Sequence, residues 1–201
     1  MTKLGILVSL LGFLLLHGRT YGEEHSNFIY FCKKGASRDS ADGVKYTVQR
    51  LLWSVGTQNC DNAYKKLNGL SKLDLASDPE GGHQITDIRP IAALSHLKDL
   101  DLSHNRINNV KAIHSLTNLR TLSLRSNAYP IDLNDLSSLI RLHTLDIAWA
   151  GHVGLETLIT LKNLRHLRIN SSKQLNLISR MTLFTLEISN GQLNHTFLNG
   201  I

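Results

Sequence analysis

Cysteine is nearly absent from this chain of 201 residues: two are present, with no Cys-x-x-Cys pair, so neither a zinc site nor a dithiol redox motif is written into it. Ten histidines invite a metal reading, but they scatter with no His-x-x-x-His pair, and no metal or other cofactor is expected. Missing too are Gly-x-Ser-x-Gly, a glycine-rich phosphate loop, the metalloprotease helix and any paired carboxylates with a cleft to hold them. Catalysis is therefore not expected. Aromatic residues make up 6% of the chain, and its basic residues are dispersed among acids. A nucleic-acid binder would show a basic stripe with stacking aromatics, so nucleic acid is not expected as a partner.

Long apolar runs are scarce as well. Residues 4–16 form one of thirteen residues, preceded by Lys3 and followed by Thr20-Tyr21-Gly22. A positive start, a short apolar core and a small-x-small site together read as a secretory signal peptide over residues 1–22, cleaved after Gly22. A retained anchor is the alternative, though a membrane-crossing helix takes about 20 residues, so no stable insertion is expected after cleavage. Losing Lys3 and Arg19 leaves twenty basic and sixteen acidic residues, a net of +4. The implied location is secreted or periplasmic. Such a space is oxidising and permits a disulfide between Cys32 and Cys60; two buried free thiols are the other possibility.

What the chain has in abundance is leucine in a fixed pattern. Leu-x-x-Leu-x-(Leu/Ile) recurs six times, with the second Leu at Leu73, Leu100, Leu122, Leu145, Leu167 and Leu186, in steps of 27, 22, 23, 22 and 19 residues. One repeat cannot bury its own apolar side, so a period near 22 specifies coils stacked into a leucine-rich-repeat solenoid of the α/β class. The second coil runs Leu97, Leu100, Leu102, Asn105, Ile107, Val110, Ile113 and Leu116. Steps of two mark a strand, and steps of three mark a helical or 3₁₀ return side. Asn105 and Asn127 fall where the chain turns inward and buried main-chain groups need a donor and an acceptor together. Equivalent positions hold Asp78, Ala150, Ser172 and Gly191, so this ladder is broken elsewhere. Asp78 to His83 is an insertion that reads as a loop.

Upstream of the repeats, Val48, Leu51, Leu52 and Val55 have helical spacing, with Thr47 as the expected N-cap and Gly56 as the end. A second helix is expected from Asp61 to Leu67, with Ala63, Tyr64 and Leu67 inward and Gly69 ending it. Residues 23–69 read as a helical cap over the first coil, to which Trp53 and the Phe28 to Phe31 segment add bulk. Residues 70–201 then hold about five and a half coils.

Leu-Lys-Asp-Leu-Asp-Leu-Ser-His-Asn-Arg-Ile at 97–107 and Leu-Arg-Thr-Leu-Ser-Leu-Arg-Ser-Asn at 119–127 resemble the repeats of bacterial internalin-type proteins. Thr47 to Leu52 and Gly56 to Cys60 resemble the cysteine-bearing cap of exported bacterial members. The resemblance covers roughly residues 28–190 and implies a non-catalytic module that binds a protein or peptide along its concave sheet. It supplies no site residue.

Candidate contacts come from the outward strand positions on either side of each central Leu. After it stand Asp74, Asp101, Ser123, Asp146, Arg168 and Glu187; before it stand Lys72, Asp99, Thr121, Thr144, His166 and Thr185; Arg125 belongs to a third column. Asp74, Asp99, Asp101, Ser123, Arg125, Asp146, His166, Arg168 and Glu187 form the expected partner-binding surface. An acidic line beside the basic flank of Lys98, Arg120, His143 and Arg165 would orient a charged partner. The competing reading is that Asp between two strand leucines merely keeps a wet position soluble. The spacing allows His143 and His166 to lie side by side on adjacent strands, wet surface being the expected role of such a pair. Trp149 either fills the gap left by the missing Asn at Ala150 or serves with Tyr129 as an anchor, core packing being the expectation. The sixth repeat runs through Phe197 and Leu198 without a polar closing element. Its apolar edge is covered by the last segment, or pairs with a second copy, or belongs to a shortened relative of a longer protein. Self-association through that edge is the alternative function.

Overall fold

The computed structural model describes residues 21–36, 43–78, 84–127, 129–170, 178–189 and 194–198. The apolar leader, loop residues 79–83, Ser172, Gly191 and the side chains of Phe197 and Leu198 lie outside the described residues.

Three helices form the N-terminal unit: α1 (Tyr21–Ala36), α2 (Val44–Ser54) and α3 (Cys60–Asn68). Helix α3 follows its sequence signals, with the Asn59 side chain accepting from the Asn62 N–H and Gly69 after the last turn. Helix α1 was not anticipated by any periodicity. Phe28 turns fully inward against Tyr64, their rings 5.5 Å apart, while Tyr30 is exposed. Cys32 and Cys60 are joined in a disulfide, with Cα atoms 5.9 Å apart, which ties α1 to the first turn of α3.

Two expectations about this unit need correction. Thr47 does not cap α2, which begins three residues earlier at Val44. It is fully buried, and its hydroxyl donates to the Asp87 carbonyl at 2.6 Å, pinning the helix to the return side of the first coil. Trp53 adds no bulk to the core either, being 58% exposed. The apolar stripe of α2 is Val44, Val48, Leu51 and Leu52, and Trp53 falls on the opposite side. Three further contacts seat the unit on the solenoid: Arg50 Nη2 donates to the Ala76 carbonyl, His96 Nε2 donates to the Leu67 carbonyl, and the Arg89 guanidinium lies over the Phe31 ring.

The coils stack in register on their leucines. Strands β1 (Lys72–Asp74), β2 (Asp99–Asp101), β3 (Thr121–Ser123), β5 (Thr144–Asp146), β7 (His166–Ile169) and β8 (Thr185–Ser189) run parallel in one sheet, with the six central leucines aligned. A separate pair, β4 (Ile131–Asp132) and β6 (His152–Val153), lies beside it. Return sides are 3₁₀ helices at Arg89–Ala93, Lys111–Ser115, Leu133–Leu136 and Leu155–Thr160. Every apolar position expected to face inward in the second coil is buried. At the far end β9 (Asn194–Leu198) turns back and pairs antiparallel with β8, so the last segment covers that edge.

Asn105 and Asn127 are almost fully buried and bond across coils. The turn that aims them inward puts the preceding residue in the left-handed region: His104, Ser126 and Trp149 have φ of 58°, 53° and 59°. Trp149 is thus turned outward, 43% exposed, which corrects its assignment to the core. Where Ala150 interrupts the ladder, the Trp149 N–H instead donates to the Asn170 side chain of the next coil.

His152 on β6 is half-buried, and burial chiefly holds its pKa below the ordinary 6.5. The unfolded chain therefore binds this proton more readily, and stability falls as pH drops through about 6.5 and below. In His152→Gln the unfolding free energy, measured in urea at stepped pH, should lose part of its slope in that interval. An unchanged slope refutes the assignment.

Candidate interaction surface

Strict register converts sequence columns into lines of side chains. Asp74, Asp101, Ser123, Asp146, Arg168 and Glu187 stand opposite one another on successive strands, as do Lys72, Asp99, Thr121, Thr144, His166 and Thr185. At about 4.8 Å between strands, six of them make a face of roughly 25 Å. His143 and His166 are not side by side: the partner of His166 is Thr144, and His143 sits one place earlier on its strand. Its Nδ1 lies 2.7 Å from the Arg141 carbonyl, whereas His166 Nδ1 meets Thr185 Oγ1.

The acidic line proves to be partly engaged with its own chain. Asp74, Asp101 and Asp146 each turn one carboxylate oxygen back to accept the N–H two residues on, at 2.9, 2.8 and 2.9 Å, tightening the exit from the strand. Asp101 also accepts from the Ser103 hydroxyl, which lies 2.6 Å from that of Ser123. The link through Ser103 was not foreseen, since small residues at outward positions read as neutral.

Charge is distributed unevenly along this face. Arg168 bridges Asp146 at 2.9 Å and Glu187 at 2.6 Å, so both carboxylates toward the C-terminal end of the column are engaged by one cation, with one negative charge in excess. Hydrogen bonding to Glu187 is the largest of the influences that raise the Arg168 pKa above its ordinary value, and the cation is permanent. Alternating signs at Asp146, Arg168 and Glu187 in one column were the legible signal of this triad. At the other end Lys72 lies 3.3 Å from Asp99. Arg125 stands between them, half-buried among the short side chains of Ser103 and Ala148, without a carboxylate partner among the described residues.

The opposite, convex side carries an open groove of about 1030 Å³ between α1 and the first three return helices, lined by Phe31, Asp87, Arg89, Lys111, His114 and Asp135. Nothing in the sequence pattern marked it. Among the described residues no cluster of His, Cys, Asp or Glu is placed to hold a metal ion, and no helix is long and apolar enough to cross a membrane.

A parallel sheet with one strand per coil, 3₁₀ returns and a helical N-terminal cap defines a leucine-rich-repeat solenoid. The leucine-rich-repeat family model matches residues 82–128. Among solved structures, the chain is similar to internalin C2 of Listeria monocytogenes, 32% identical over 62% of this chain and 54% of that one, with a TM-score of 0.47. It is also similar to a leucine-rich-repeat protein of Leptospira interrogans, 25% identical over 62% of this chain and 29% of that one, TM-score 0.45. The chain thus spans about half the length of the first and under a third of the second. No curated protein matches it.

Proposed function

We propose that this chain is an exported, non-catalytic interaction module that holds a protein or peptide on its concave sheet, around β2 and β3. The observation that carries the reading is the contrast along the face: its C-terminal carboxylates are already bridged by Arg168, while Arg125 and the outer oxygens of Asp74 and Asp101 remain for a partner. Arginine flanked by small residues is the kind of anchor that dominates protein interfaces. Trp149 and Tyr129, both exposed beside this sheet, add apolar area at its margin. The disulfide of the cap fits an oxidising location outside the cytoplasm.

Photo-crosslinking tests it. A photoreactive phenylalanine placed singly at Ser123 or Arg125, and at His114 on the convex side as the reference, is irradiated in the native envelope. Adducts of defined mass are expected from the two concave positions and not from His114. Adducts from His114 alone, or from none of the three, overturn the proposal.

A further inference from the structure

A line of mostly basic residues runs along the edge of the sheet where its strands begin, beside the concave columns and outside the contact around β2 and β3. Lys98, Arg120, His143, Arg165 and Phe184 occupy the same place in five successive coils. The main chain proves the alignment: the N–H of Arg120 donates to the Lys98 carbonyl at 2.7 Å, His143 to Arg120 at 2.8 Å, Arg165 to His143 at 2.8 Å, and Phe184 to Arg165 at 2.7 Å. At the strand pitch of about 4.8 Å, the five side chains extend for roughly 19 Å. Arg141 and Lys162, both exposed, thicken the strip on its outer side.

What separates this strip from the rest of the sheet is the lack of counter-charge. Lys72 and Arg168 on the face are each paired with carboxylates. Among the described residues none of Lys98, Arg120, Arg141, Lys162 and Arg165 has one; Arg141 bonds the Asn118 amide oxygen, and Arg165 bonds the main-chain carbonyls of Lys162 and Leu164. Neutral bonds of that kind orient a guanidinium and leave its charge in place. Like charges one coil apart, such as Lys98 and Arg120, repel one another, and that repulsion is left uncompensated by any carboxylate among the described residues. The line ends on an aromatic ring: Phe184 is 57% exposed and stacked at 5.6 Å by Arg165.

We propose that this strip is a binding site for an acidic polysaccharide, lying across the coils with an anionic group at each cation and a sugar ring on Phe184. Three cations along one line, Lys98, Arg120 and Arg165, with a histidine between the two arginines and no pocket around them, suit a polymer whose charge repeats along its length. A protein partner would call for side-chain pockets. The disulfide-bearing cap favours a location where surface polysaccharide rather than nucleic acid is the abundant polyanion. The site is separate from the concave contact proposed above, and either can fail without the other.

The test is binding of fluorescent heparin to the folded protein, followed by anisotropy at stepped salt. Arg120→Ser with Arg165→Ser should weaken binding by about tenfold or more, since two charge contacts of modest worth are lost together. Phe184→Ala should weaken it by about fivefold, the scale of one stacking contact, with the salt dependence unchanged. Lys33→Ser with Lys111→Ser removes the same charge elsewhere and should change affinity by no more than about twofold. Equal weakening by this control overturns the site. Polyglutamate or single-stranded DNA bound as tightly as heparin by the unaltered protein, and weakened equally by the Arg120 and Arg165 changes, overturns the polysaccharide class. No measurable binding of heparin overturns both.

Discussion

Cys32→Ala with Cys60→Ala is expected to lower the stability of the folded chain by about 3 to 4 kcal/mol, the largest effect of any change confined to the cap. The bridge closes a loop of 28 residues, and a cross-link of that span removes entropy from the unfolded chain in about that amount. Cys32 is also fully buried beside Phe28 and Tyr64, so the folded side loses packing as well. Solenoids behave as stacks of neighbours, and a cap that loosens exposes the first coil, Leu73 and Leu75 included, to fraying from that end. Urea unfolding read by far-ultraviolet circular dichroism measures the loss directly. A midpoint that stays within the error of the unaltered protein would show that the cap stands on its packing alone.

Asn105→Ala is the second, with an expected cost of about 3 to 5 kcal/mol. The Asn105 side-chain oxygen accepts from the Ile85 N–H at 2.8 Å and the Ser77 hydroxyl at 2.6 Å. Its amide donates to the carbonyls of Leu75, Leu102 and Ser103 at 3.0, 3.0 and 3.1 Å. Truncation strands these groups where water does not reach, and each orphaned group costs on the order of 1 to 3 kcal/mol before the coil relaxes. Asn127 joins fewer groups, accepting from Ile107 and donating to Leu102 and Leu124. Asn127→Ala should therefore cost less than Asn105→Ala under the same conditions. The reverse order, or equal small losses, would mean that the ladder decorates the turn without holding it.

Both effects concern positions that are legible in the amino-acid sequence, and the reason is physical. An inward turn repeated every coil leaves the same main-chain groups unsatisfied each time, and only a side chain with donor and acceptor meets them, so Asn105 and Asn127 announce themselves. The leucine columns are equally plain, because a coil that buries one side of a strand must repeat its apolar residues at fixed offsets. Thr47 misleads, since a hydroxyl before an apolar run signals an N-cap equally well when it is reaching for a distant carbonyl. Trp149 misleads for a related reason: a large apolar residue beside a missing asparagine looks like filler until the left-handed turn aims it at solvent.

The candidate face was legible in its columns and in the alternating signs of one of them, but not in which charged groups join. That Asp146, Arg168 and Glu187 share a line follows from the repeat; that Arg168 joins both carboxylates depends on side-chain reach between strands. The self-directed oxygens of Asp74, Asp101 and Asp146 depend likewise on how each strand ends.

By itself, then, the sequence determined the coil, its period, the inward residues and the order of the strands, because each is enforced locally and repeated at every turn of the chain. Tertiary structure alone decided how α1 covers the first coil, which charged groups join, and that β9 returns antiparallel along β8. Those outcomes join groups far apart in sequence or on neighbouring coils, where no periodic pattern specifies which partner each group meets.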